Sequence, residues 1–371
     1  MKISLVSDEF FIWDRFGGFG AFTRKLATEL VRHGLEVEVL MEYYYHNQQP
    51  QPFESTVIDG VVVRSLPAHL RELLIHRNIC KIDADIIHSQ CDPFNTHFVF
   101  RGNPATPKVV TIQDLRSVQE RRRLTMDSPS VEWGMPNLRL IPRSVLVWHF
   151  ARENLKKATV VAVQACLLKS KVRSTLHYKK PLIHLPNFVD IPDSAVFKKS
   201  AEPSVIFLGR LDPVKNPELM LKVAKRVPHV SFYVLGRTIY KNRDRNLRKL
   251  AEKIPNVHML GHDSGNLKEK LLGKAWVLLN TSYYECLPVS FLEALAHNCA
   301  LLSTQNPDGY TSKFGVHCED NVDSLCRGLH WLIEKERWRE LGKLGYQHVK
   351  ASHETKKCVN DHINLYRRLL N

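Results

Sequence analysis

Four charged side chains in two short stretches carry the chemistry legible in this chain. In the first stretch, Tyr284-Glu285-Cys286-Leu287-Pro288-Val289-Ser290-Phe291-Leu292-Glu293-Ala294, two glutamates stand eight residues apart with a proline between them. Pro288 suits the first helical position, where a missing N–H costs nothing. Glu285 is then expected in the loop after an apolar strand at 277–280, and Glu293 inside the first turns of a helix from about 288 to 297. Free backbone amides around Leu287 and Pro288, over residues 287–290, would form an anion site suited to a diphosphate. Carboxylates flanking such a site accept hydrogen bonds from sugar and ribose hydroxyls. The second stretch is Phe207-Leu208-Gly209-Arg210-Leu211-Asp212-Pro213-Val214-Lys215-Asn216-Pro217. A strand ends at Gly209, whose missing side chain lets the backbone approach a ligand closely. Arg210 then offers a bidentate fork for phosphate, and Lys215 a point charge. Each stretch also has a plain structural reading, as a capped amphipathic helix and as a solvated basic loop.

Both stretches need elements to position them. Ile3-Ser4-Leu5-Val6 reads as a first strand, and residues 18–33 as a helix with Phe22, Leu26, Leu30 and Val31 on one face. Gly34 ends that helix, and strands are expected at 36–40, 86–88, 109–112 and 159–163. Leu185-Pro186-Asn187-Phe188-Val189-Asp190-Ile191-Pro192-Asp193 has two prolines and no periodicity, and reads as a linker. Strand–helix alternation then restarts at 205–208, 217–227, 230–235, 277–280, 288–297 and 300–303. A basic helix is expected from Glu354 to Leu370. The length of 371 residues suits two domains of roughly 150–200 residues each. The expected architecture is α/β, with two Rossmann-like doubly wound domains, 1–186 and 187–354, facing across a cleft. Ligands in open α/β sheets bind beyond the carboxyl ends of the strands.

Gly209-Arg210-Leu211-Asp212-Pro213-Val214-Lys215-Asn216, followed by Glu285-x7-Glu293, resembles the retaining GT-B glycosyltransferases of the family 4 type, glycosyltransferase group 1. The resemblance covers nearly the whole chain. Phe16-Gly17-Gly18-Phe19-Gly20 is similar to that family's N-terminal glycine loop, and Asp85-Ile86-Ile87-His88 to its acidic, apolar, histidine strand. Ala158-Thr159-Val160-Val161-Ala162-Val163 and Leu185-Pro186-Asn187-Phe188-Val189-Asp190 match its later N-domain strand and its crossover. The resemblance implies transfer of a sugar from a nucleotide-diphosphate-sugar donor to an acceptor hydroxyl with retention, without metal or other cofactor. It implies that Arg210 and Lys215 hold the donor diphosphate, Glu293 the ribose, and Glu285 the transferred sugar. Gly18 would let the acceptor-side loop approach the phosphates, and helix 355–371 would return to the first domain. The sequence departs from the pattern at Gln113-Asp114, where many members carry a histidine, at Cys286, and at Leu235-Gly236-Arg237-Thr238. His88 and Asp114 are candidate sugar or acceptor contacts, and Arg237 would suit an anionic partner.

Composition bounds the rest. Apolar residues are 44% of the chain and charged residues 25%, which excludes a wholly disordered or collagen-like chain. No apolar run approaches the roughly 18–20 residues that span a bilayer. The start lacks a signal-peptide pattern, so the expected location is cytoplasmic. The formal charge of +15 implies anionic partners: nucleotide phosphates, anionic lipid or nucleic acid. No nucleic-acid motif accompanies that charge, so a basic nucleic-acid-binding protein is the weaker alternative. An epimerase or hydrolase that attacks a nucleotide sugar with water is the nearer one. Residues 115–157 combine Arg121-Arg122-Arg123 with Trp133, Leu138, Ile141 and Trp148. That composition fits either a peripheral contact with the inner membrane face, with a lipid-linked acceptor, or helices packed on their own sheet. Asp83-Ala84-Asp85 precedes its strand and so lies away from the expected ligand edge. The eight scattered cysteines read as reduced core residues.

Overall fold

The computed structural model describes residues 1–10, 17–42, 54–66, 82–90, 92–116, 120, 141–193, 197–238, 240–263 and 265–371. The chain forms two compact units. Unit 1 comprises Met1–Leu115, Gly134–Asn187 and Lys356–Asn371, and unit 2 comprises Arg116–Trp133 and Phe188–Thr355. Each is an α/β unit built on one sheet.

The sheet of unit 1 contains β1 (Lys2–Ser7), β2 (Glu36–Glu42), β3 (Ser55–Ile58), β4 (Val61–Leu66), β5 (Ile86–Gln90), β6 (Lys108–Ile112), β7 (Val160–Val163) and β8 (Ile183–His184). Their order is β3-β4-β2-β1-β5-β6-β7-β8. All neighbours are parallel except β3 and β4, an antiparallel hairpin turned by Asp59 and Gly60 with φ of 51° and 79°. Two left-handed residues in a two-residue loop match the right-handed twist of the strands. The central strands bury Ile3, Leu5, Val39, Ile86 and Ile87 completely, as expected for strands covered on both faces. Helix α1 (Gly18–Arg32) lays Phe22, Leu26 and Leu30 on this sheet. Its end is closed by Gly34 at φ 79°, with Gly34 N–H on the Val31 carbonyl and Leu35 N–H on the Leu30 carbonyl. Helices α2 (Pro93–Gly102), α3 (Ile141–Lys157) and α4 (Leu167–Leu176) follow β5, β6 and β7.

Unit 2 repeats the plan with β9 (Ser204–Leu208), α5 (Pro217–Arg226), β10 (Ser231–Leu235), α6 (Lys241–Ala251), β11 (Val257–Gly261), α7 (Asn266–Lys274), β12 (Val277–Asn280) and α8 (Val289–Ala296). The remaining elements are β13 (Ala300–Ser303), α9 (Tyr310–Phe314), β14 (Gly315–His317), α10 (Val322–Ile333), α11 (Arg337–Ser352) and α12 (Thr355–Leu370). The parallel order is β11-β10-β9-β12-β13-β14. Its core joins Val205, Phe207, Phe232 and Leu279 of the strands to Leu219 and Val223 of α5, Leu325 and Leu329 of α10, and Trp338 of α11. The chain order reverses between β9 and β12, so the carboxyl edge of that strand pair is the switch point where a ligand site is expected. Where the chain enters and leaves unit 2, Val189 bridges Glu354 and Thr355 Oγ donates to Asp190. From Lys356 onward α12 counts with unit 1, where the Tyr366 hydroxyl reaches His88 at 2.7 Å.

Candidate functional site

The loops after β9 and β12 meet at the switch point of unit 2. Gly209 ends β9 with φ of 153°, a conformation that side chains disfavour. The loop is held against the end of β10 by Gly209 N–H on the Leu235 carbonyl (3.1 Å) and Leu211 N–H on the Arg237 carbonyl (3.0 Å). Gly236 makes this approach possible: a Cβ there would fall 1.8 Å from the Gly209 carbonyl oxygen. The chain then makes a single 3-10 turn at Pro213–Lys215, and Asn216, at φ 46°, redirects it into α5. Thr281, just beyond β12, donates to the carbonyl oxygens of Lys215 (2.9 Å) and Asn216 (2.8 Å), and so staples the two loops together.

This stapling brings Lys215 and Glu285 into direct contact. Lys215 Nζ lies 2.5 Å from Glu285 Oε1, and the two side chains are 22% and 8% exposed. The same oxygen accepts from Ser282 Oγ (2.6 Å) and Asn280 Nδ2 (3.0 Å). Burial alone would push the Glu285 carboxyl up, but Lys215, Ser282 and Asn280 together hold it below its ordinary value. Glu285 is therefore a fixed anion at neutral pH. Arg210 is exposed and pairs with Asp212 (3.1 Å), which also accepts from Thr238 Oγ1 (2.8 Å).

Glu293 lies on α8, after Leu287 (buried) and Pro288. Pro288 is the residue flanking the helix rather than its first helical residue, with extended φ and ψ of −68° and 138°. That corrects the expected start by one residue, within the usual fraying of helix ends. Glu293 pairs with Lys268 of α7 at 2.7 Å. Burial lowers the Lys268 pKa, but Glu293 and Glu269 outweigh it and hold the ammonium above its ordinary value. Glu269 also meets His297 Nε2 at 2.8 Å, and His297 Nδ1 lies 2.8 Å from the Glu293 carbonyl. The structure thus gathers Gly209, Arg210, Lys215, Glu285, Leu287, Pro288 and Glu293 within unit 2.

The other candidates lie in unit 1. Gly18 is the exposed first residue of α1, with open space where a side chain would stand. At neighbouring Gly17 a Cβ would meet the Glu9 carboxylate at 2.2 Å. Glu9 Oε2 accepts from Gly20 N–H at 3.2 Å, so a carboxylate already sits at the start of α1. His88 is a correction. It was expected at the carboxyl end of its strand, but β5 continues through Ser89 and Gln90, which pair with Val6 and Ser7 of β1. His88 is fully buried mid-strand, its two ring nitrogens 2.7 Å from the Tyr366 hydroxyl and from Thr111 Oγ1. Burial and neighbouring His362 push its pKa down, so it is a neutral interior histidine. Asp114 is half-buried, two residues beyond β6. Asp83 and Asp85 hold Lys2 at the amino edge of the sheet, with side chain and backbone bonds of 3.1 and 2.7 Å. Of residues 115–157, positions 117–119 and 121–140 lie outside the described residues. In the described part of α3, Phe150 packs against Phe94 and Phe98 of α2.

Sequence reasoning missed Asn280, Ser282, Lys268 and Arg116. Asn280, a polar residue closing an apolar strand, gave a signal; Lys268 gave none. The Arg116 guanidinium lies 5.1 Å from the ring of Tyr284, beside Glu285.

Residues 192–347 match the family model described as Glycosyl transferases group 1. The chain is similar to the D-inositol 3-phosphate glycosyltransferase of Mycolicibacterium smegmatis, at 25% identity over 245 residues, 59% of this chain and 54% of that protein. It spans about half the length of the curated relatives it matches. Among solved structures it resembles sucrose-phosphate synthase from Thermosynechococcus elongatus, with a TM-score of 0.76 and 16% identity over 100% of this chain and 99% of that one. It also resembles the pneumococcal O-GlcNAc transferase GtfA in complex with UDP and GlcNAc, with a TM-score of 0.71 and 10% identity over 100% and 99% of the two chains. The fold shared with these proteins is GT-B.

Proposed function

We propose that this chain, whose residues 192–347 match the group 1 glycosyltransferase model, moves a sugar from a nucleotide-diphosphate-sugar donor to an acceptor hydroxyl with retention of anomeric configuration. The observation that carries this reading is the half-buried Lys215–Glu285 pair at the switch point, beside Gly209 and Arg210. Breaking a glycosyl–phosphate bond leaves negative charge on the diphosphate and positive character on the sugar. Arg210, Lys215 and the amides at the start of α8 supply fixed positive charge for the leaving group. Removing one such donor costs about 2.7–4 kcal/mol of barrier. Glu285, held ionised by its neighbours, faces the sugar, and Glu293 takes the ribose hydroxyls.

In the proposed step the glycosyl–oxygen bond of the donor breaks, and the acceptor oxygen bonds to the anomeric carbon on the same face. The acceptor proton passes to the departing phosphate, so the reaction balances without a resident cofactor. The charge of +15 and the relative named for inositol 3-phosphate support an acceptor that is itself anionic, a lipid-linked phosphate included. The test is product analysis with UDP-, GDP- and ADP-sugars and phosphorylated acceptors in the presence of a chelator. A new glycoside whose anomeric coupling matches the donor supports the proposal. Release of free sugar alone, at the same rate with and without acceptor, identifies a hydrolase instead.

A further inference from the structure

We propose that unit 2 holds a second anion site, a cavity beyond the C-terminal end of α8 that takes a phosphoryl group. The cavity measures about 560 Å³, within the range of roughly 300–1,000 Å³ typical of small-molecule sites. Its walls include Lys199, Asn298, Trp338, Arg339, Lys343 and Lys350, and none of its described lining residues is Asp or Glu. It shares no residue with the site around Lys215 and Glu285.

Helix α11 builds one wall. Arg339, Lys343, Tyr346 and Lys350 follow each other by four, three and four residues, which puts them on one face. Arg339 is the most constrained: it pairs with Glu336 at 2.6 and 3.0 Å, and its guanidinium stands 4.6 Å from the ring of Trp338. Lys343 and Lys350 take part in none of the ion pairs found among the described residues. Lys199, which precedes β9, also lines the cavity. Its ammonium donates to the carbonyl oxygens of Ala275 (2.5 Å) and His297 (2.7 Å) and lies 3.4 Å from Cys299 Sγ; burial pushes its pKa down, and among the described residues no carboxylate pairs with it.

Two polar atoms in the same walls lack partners. The Trp338 indole Nε1 and the Asn298 Oδ1 are buried without a hydrogen bond, and Trp338 as a whole is 1% exposed. Buried polar groups without partners are rare in native proteins and ask for an explanation. The positions are fixed, because α11 packs its Gly342 where a Cβ would lie 2.2 Å from the Asn298 carbonyl oxygen. An unpaired donor and an unpaired acceptor in the same walls as Lys343 and Lys350 match a phosphoryl group carried on a hydroxyl-bearing body. A phosphorylated small molecule and a phospholipid headgroup share that chemistry.

The experiment follows the Trp338 indole N–H by NMR in the whole chain, assigned with Trp338→Phe. Inorganic phosphate is the probe, with chloride at equal ionic strength as control. Thermal denaturation in the two salts reads the same binding without assignment. The expected result is a saturable shift of the Trp338 signal by phosphate, weakened about tenfold or more in Lys343→Glu/Lys350→Glu. The Arg210→Ala variant retains the shift, which separates this site from the proposed donor site. Pelleting with phosphatidic acid vesicles but not phosphatidylcholine vesicles, lost in the double variant, assigns the phosphoryl group to a lipid; a phosphate shift without pelleting assigns it to a soluble ligand. A signal that responds equally to chloride, or equally in the double variant, overturns the proposal.

Discussion

At the residue scale, the carboxylate of Glu285 cannot leave its partners. Glu285 is nearly buried, and three donors converge on one of its oxygens. Its pKa in the folded chain lies below the ordinary value, so its contribution to stability is present above the ordinary carboxylate range. That contribution is lost as pH falls through the lowered value. Melting temperature measured against pH should therefore fall less steeply on the acid side in Glu285→Gln than in the parent chain. Lys215→Ala leaves Glu285 buried with two neutral donors, and should cost about 3 kcal/mol of stability by denaturant titration. If the proposed chemistry holds, the same variant loses turnover more than donor affinity, because the leaving-group charge develops only in the transition state. Glu293→Ala should do the reverse and raise the donor KM, since a ribose contact is made equally in ground and transition states.

At the element scale, the loops matter more than the helices. Gly236 exists so that the loop carrying Arg210 can press against the end of β10. Gly236→Ala drives a Cβ into the Gly209 carbonyl, backbone against backbone. It should destabilise unit 2 by about 1–3 kcal/mol in thermal denaturation and displace Arg210. Most of this framework was legible beforehand, because parallel strands buried on both faces read as continuous apolar runs such as Val277–Leu279. The β3–β4 hairpin was not read, although Val57-Ile58-Asp59-Gly60-Val61-Val62 carries the turn signal. Four of its residues are exposed or half-buried, so no apolar run advertised β3. The glutamate pair and the two cations were legible from types and spacing. Their pairing was not: nothing in the spacing of Lys268 to Glu293, or of Lys215 to Glu285, says which cation each carboxylate will hold. His88 misled for a related reason. A polar residue ended the apolar run, yet Ser89 and Gln90 continued the ladder because their side chains found buried partners in Thr96 and Gln113.

At the scale of the whole molecule, the chain is two sheets and a returning segment. Residues 356–371 contribute to unit 1, where the Tyr366 hydroxyl completes the hydrogen bonding of buried His88. Deleting them should unfold unit 1, read as loss of one step in a two-step denaturation curve. Unit 2, whose core lies within 205–338, should keep its own transition. The central claim is that unit 2 binds a nucleotide sugar through the loops after β9 and β12 and through α8. The most direct test is calorimetric titration of UDP-, GDP- and ADP-sugars into the whole chain, its Arg210→Ala variant and its Glu293→Ala variant. The expected result is saturable binding of one nucleotide class, weakened about tenfold or more in each variant, a loss of roughly 1.4 kcal/mol. Binding of no nucleotide sugar, or binding indifferent to both substitutions, would contradict it.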